Sequence, residues 1–133
     1  AFSTRLDANL PIIVERSMYW PDGGHATIGV TAPATTWFLA EGYTAQGFGT
    51  YILIQNPNPT DATVNVTYML QGGGTLSRQH TVLANSRYTI VAQDPSQVGP
   101  DQAFSTRLDA NLPIIVERAM YFPGGGHATI GIH

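Results

Sequence analysis

The residues of this chain with chemical potential are few, and their pattern occurs twice. Gly23-Gly24-His25 and Gly125-Gly126-His127 join glycines, which let a backbone approach a ligand closely, to an imidazole that can bind metal or accept a proton. A phosphate-binding loop would also need a following helix and a Lys-Ser/Thr pair, and neither follows. The four histidines do not fall at ligand spacing, and the absence of cysteine excludes thiolate metal sites and disulfides. The glycine-histidine motifs therefore read as hairpin turns carrying a surface imidazole, with no metal and no cofactor expected. For nucleophilic catalysis there is no Gly-x-Ser-x-Gly elbow. Glu41 and Glu117 are the only carboxylates expected on strands of the full repeat, a thin basis for paired-carboxylate glycoside hydrolysis. No catalytic residue is assigned, and the expectation is a protein that is not an enzyme.

Glu15-Arg16 and Glu117-Arg118 are more informative. Each pair lies within an apolar run, Ile-Ile-Val-Glu-Arg, and consecutive residues of a regular strand point to opposite faces. Either a bulge intervenes or one charge faces inward and must be paired. We favour the second, because an arginine inside an apolar run is costly unless its donors are used. Arg118 is thus expected to be at least half buried and bonded to a carboxylate or to backbone carbonyls. Glu15, Arg16, Glu117 and Arg118, with the turn glycines Gly124, Gly125 and Gly126, form the structural set. Among the aromatic residues, Tyr43 and Phe48 flank Thr44-Ala45-Gln46-Gly47 and are the candidates for exposed rings that could stack on a sugar. Asn65-Val66-Thr67 matches a glycosylation sequon, a pattern common by chance.

The elements that must position these residues belong to a repeat. Residues 1–30 recur at 103–132 with an offset of 102, and four of thirty positions differ: Ser17/Ala119, Trp20/Phe122, Asp22/Gly124 and Val30/Ile132. A period of this length is too long for a solenoid and suits a sandwich domain of ~100 residues. Residues 31–133 should therefore be one complete module, and residues 1–30 the last strands of a preceding copy, with the natural start of the protein lying elsewhere.

Composition agrees with a folded β domain. Of 133 residues, 43% are hydrophobic and 11% charged, which is neither a disordered nor a coiled-coil balance. The net charge is −3 and all six basic residues are scattered arginines, so no basic stripe exists for nucleic acid, and without lysine no Lys–Asn isopeptide link can form. No apolar run approaches the ~18 residues that would span a bilayer, so no membrane insertion is expected in this segment. Strand signals recur over 36–43, 50–55, 63–70, 75–83, 87–93, 104–108, 114–122 and 127–132. Asn56-Pro57-Asn58-Pro59 interrupts any ladder, and Gln71-Gly72-Gly73-Gly74 and Gly124-Gly125-Gly126 suit tight turns. The expected fold is all-β, an antiparallel immunoglobulin-like sandwich.

Several ordered motifs, Trp37-Phe38-Leu39-Ala40-Glu41-Gly42, Gln55-Asn56-Pro57-Asn58, Ala84-Asn85-Ser86-Arg87, Glu117-Arg118-Ala119-Met120-Tyr121 and Gly125-Gly126-His127, carry a resemblance. The chain resembles the tandemly repeated FAEG…NPN…ANSR…ERAMY…GGH domain of large extracellular proteins of actinobacteria, Chloroflexi and related bacteria. That resemblance implies an exported β module of uncharacterised function and brings no catalytic residues. The expected role is structural, a stalk, sheath or filament at the cell surface assembled head to tail from neighbouring repeats or copies. An adhesin that binds surface glycans is the alternative. Residues 1–30 make too small a unit to order themselves, so they should dock on another surface of the module or complete a neighbouring chain.

Overall fold

A computed structural model describes all 133 residues, Ala1–His133. The chain is all-β, with nine strands and no helix: β1 (Glu15–Trp20), β2 (Gly23–Ile28), β3 (Ala34–Tyr43), β4 (Gly49–Asn56), β5 (Ala62–Leu70), β6 (Thr75–Val82), β7 (Ser86–Val91), β8 (Ala103–Phe122) and β9 (Gly125–Ile130). Every pairing is antiparallel.

The 20-residue strand β8 organises the fold. Its first half lies between β3 and β5, with β6 outside β5, and its second half lies between β4 and β9, with β7 outside β4. Two four-stranded layers thus share one strand and face each other as in a sandwich. Alternation explains how a single strand serves both. Phe104, Thr106, Leu108, Ile114, Val116, Arg118 and Met120 are all buried and all at even positions, so one face of β8 looks into the core along its whole length. The sequence pattern suggests two strands, 104–108 and 114–122, separated by Asp-Ala-Asn-Leu-Pro. The chain instead runs through, because the pairing with β5 ends at Ala110 and that with β4 begins at Ile115. Pro113 lies in this gap, where its missing donor breaks no ladder. Side chains fill the gap: Asn111 Oδ1 accepts from the Thr63 amide at 2.8 Å, and Asn58 Nδ2 donates to the Pro113 carbonyl at 2.7 Å.

The core holds Trp37, Leu39, Ile52, Ile54, Val64, Val66, Tyr68, Ile90, Leu108, Ile114 and Val116 among sixteen buried apolar residues. Its indole and phenol groups are hydrogen-bonded. Trp37 Nε1 lies 3.0 Å from the carbonyls of both Ala34 and Ile114, and the Tyr68 hydroxyl, pushed up to about 12 by burial, donates to Gln97 Oε1 at 3.1 Å. The Asn-Pro-Asn segment does more than stop β4. Asn56 is fully buried, its Nδ2 reaches the carbonyls of Thr60, Val82 and Leu83, and its Oδ1 accepts from the Asn58 amide, so one side chain ties the β4–β5 loop to the β6–β7 turn.

The two copies of the repeated segment fold differently. Residues 103–132 form β8 and β9. Of residues 1–30, only β1 and β2 form a hairpin, and residues 1–14 have no strand although they match 103–116 residue for residue.

Candidate functional site: the stacked hairpins

The chemistry-bearing motifs converge on one place, where the β1–β2 hairpin lies against the β8–β9 hairpin. In both hairpins the cross-strand register places the arginine diagonally opposite the histidine: Arg16 faces Thr27 while Met18 faces His25, and Arg118 faces Thr129 while Met120 faces His127. Arg16 Nη2 lies 3.2 Å from His25 Nδ1, and Arg118 Nη2 lies 3.1 Å from His127 Nδ1. A guanidinium can only donate, so Nδ1 accepts in each case and the imidazole proton sits on Nε2. His25 Nε2 then donates to the Tyr121 hydroxyl at 3.1 Å. Arginine and histidine of the repeat thus form a unit that the hairpin alone assembles.

What differs is where the rest of the guanidinium goes. Arg118 is 6% exposed, faces the core opposite Ile52 in an unbroken ladder, and donates from Nη1 to the Glu41 carbonyl at 2.6 Å. No bulge separates it from Glu117. Arg16 has no such carbonyl and donates from Nη1 to Glu117 Oε1 at 2.9 Å, an ion pair across the two copies. Trp20 meets the Tyr121 ring edge-on at 5.4 Å. So Arg16, Trp20 and His25 of one hairpin meet Glu117, Tyr121 and Gly126 of the other. Burial holds the Arg118 guanidinium below its ordinary range. The Nε atoms of Arg16 and Arg118 are buried without a partner.

The glycines have roles that turn chemistry does not reveal. Of Gly124, Gly125 and Gly126, only Gly124 has a positive φ, +86°; the other two belong to β9. There a side chain would collide: a Cβ on Gly126 would lie 2.9 Å from the Met120 carbonyl oxygen and 3.1 Å from the Trp20 ring. A Cβ on Gly23 would lie 3.1 Å from the Gly125 Cα, so the glycines of both motifs let the two hairpins approach backbone to backbone. The turns also differ, since Asp22, at the position of Gly124, does not have a positive φ.

Tyr43 and Phe48 are half buried rather than free rings, stacked edge-on at 5.2 Å. Phe48 also packs on Phe122 at 5.1 Å and, with Tyr51, Tyr121, Gln93 and Asp101, lines an open cleft of about 520 Å³. Glu41 is exposed, and no group of three or more His, Asp or Glu side chains converges.

No family model matches the chain. No curated protein matches it either. Solved structures do match. A protein of Thermotoga maritima, number 1070, superimposes with a TM-score of 0.68 over 75% of this chain and 94% of its own, at 14% identity. The sensory rhodopsin transducer of Anabaena superimposes with a TM-score of 0.57 over 66% of this chain and 97% of its own, at 26% identity. The first likeness is one of fold.

The two histidines predict a pH response. Burial first, then Arg16 for His25 and Arg118 for His127, hold both imidazoles below their ordinary 6.5. A group whose folded pKa is depressed stabilises the fold fully above its unfolded value and progressively less as pH falls through the folded one. Unfolding midpoints should therefore decline between about pH 7 and 5. A His127→Gln variant should show a flatter profile, and equal slopes for variant and parent would disprove the assignment.

Proposed function

We propose that this chain is a structural module of an extracellular bacterial repeat protein, an immunoglobulin-like two-layer unit whose arrays build a stalk, sheath or filament. The supporting observation is the hairpin stack. Its two partners are copies of one sequence, yet they use different faces, so the contact is heterologous and can propagate. Glu15 and Tyr19, the counterparts of the occupied Glu117 and Tyr121, stay exposed on β1. Chains of one, two and four periods should show a maximum dimension, by small-angle X-ray scattering, that grows in step with period number, and extended particles under the electron microscope without ligand. Globular particles at every length would end this reading.

The cleft lined by Phe48, Tyr51 and Tyr121 favours one alternative, a glycan-binding adhesin, because aromatic faces beside Gln93 and Asp101 suit a sugar ring. Retention on glycan resin that is lost in a Phe48→Ala variant would select it.

A further inference from the structure

Residues 1–16 are identical to residues 103–118, yet the two stretches share almost no environment. The second is the central strand of the sandwich, with Phe104, Leu108, Ile114 and Val116 buried. In the first, residues 1–14 pair with nothing in a ladder, and Phe2, Leu6, Leu10, Ile12 and Ile13 are exposed. Residues 1–14 therefore carry the side chains that fill the β8 slot without occupying it in this structure.

We propose that residues 1–30 are an exchangeable copy of the β8–β9 segment, able to complete the sandwich of a second molecule of this chain. Every apolar contact that 103–116 makes in the core is open to 1–14, because the side chains are the same. The hairpin beyond can follow, since β1 and β2 keep the arginine–histidine unit, and Arg16 would find the Glu41 carbonyl that Arg118 now uses. The 103–132 segment displaced from the receiving molecule becomes a donor in turn, so exchange links copies head to tail, into rings or open chains.

Chain geometry selects the second molecule over the chain's own body. Ile132 pairs with Phe38 on β3. If Val30 took that place within its own chain, only Thr31, Ala32 and Pro33 would remain to lead back along β3 to Ala34. Four strand residues cover ~13 Å and the lateral step is ~5 Å, while four extended residues reach at most ~14 Å. The link would be taut, whereas a donor from another molecule is under no such constraint. The copy joined directly to residue 102 has an effective concentration on the order of millimolar, so in the parent chain it holds the slot at low protein concentration.

A lesion in that copy exposes the exchange. Leu108→Asp puts a carboxylate in the core and disables β8, while Leu6 stays intact. On refolding at high concentration, this variant should recover the parent's β circular dichroism in dimers or larger assemblies by light scattering. Leu6→Asp alone should remain folded like the parent. The double variant Leu6→Asp/Leu108→Asp should lose the recovery. If the double variant matches Leu108→Asp, whether both fold or neither does, residues 1–30 donate nothing and the proposal falls. It also falls if Leu108→Asp folds as a monomer. The experiment reads strand exchange alone, so its outcome is independent of the stalk reading.

Discussion

Replacing Arg118 by alanine should lower the unfolding free energy by ~3–5 kcal/mol, the scale for removing one member of a buried charged contact. Two losses combine. The guanidinium leaves the Glu41 carbonyl and His127 Nδ1 without the donor they now use at 2.6 and 3.1 Å, and the departed stem leaves a cavity beside Ile52. Arg118→Met separates them. Methionine keeps most of the stem, so it fills the cavity, but it leaves the same two acceptors without a donor. Its loss should be smaller than that of alanine by the cavity part alone. Urea unfolding at unchanged slope is the measurement. An Arg118→Ala variant with the parent's midpoint would show that the side chain is hydrated, contrary to its burial.

Leu108→Ala and Leu6→Ala make the same chemical change in the same sixteen-residue sequence, and they should differ by ~2–5 kcal/mol. Leu108 is 0% exposed in the core, where a Leu→Ala cavity costs that much. Leu6 is 56% exposed and its truncation should fall within ~0.5 kcal/mol of zero. For a module of about 100 residues the first change should lower the thermal midpoint by more than ~10 °C. Equal losses at both sites would mean that residues 1–14 are packed as firmly as their copy.

Most strands were legible because their alternation is local. Val64, Val66 and Tyr68 on one face of β5, and Ile52 and Ile54 on one face of β4, follow from a period of two whatever the partner. The inward arginine was legible for the same reason: an unbroken strand must send either Glu117 or Arg118 inside. What it meets there was not. Its acceptor is a main-chain carbonyl on β3, 77 positions away, and every residue supplies a carbonyl, so no residue type marks it. The unity of β8 was hidden as well. Asn111 and Pro113 are turn residues by propensity, and only the gap between the β5 and β4 pairings lets them lie within a strand. Tyr43 and Phe48 read as exposed rings because they flank a glycine-containing loop, but that loop folds them onto each other and onto Phe122.

The repeated segment separates the two kinds of information. Sequence alone determined the period, the all-β character, the hairpin and the diagonal pairing of Arg16 with His25 and of Arg118 with His127, all of which recur in both copies. These properties rest on contacts within about ten residues, so an identical sequence reproduces them. Only the tertiary structure decided that residues 103–116 become a central strand while 1–14 stay unpaired, and that Arg118 bonds a carbonyl while Arg16 bonds a carboxylate. A strand is stabilised by what lies beside it and beneath it, and the body between the two copies has one slot to offer.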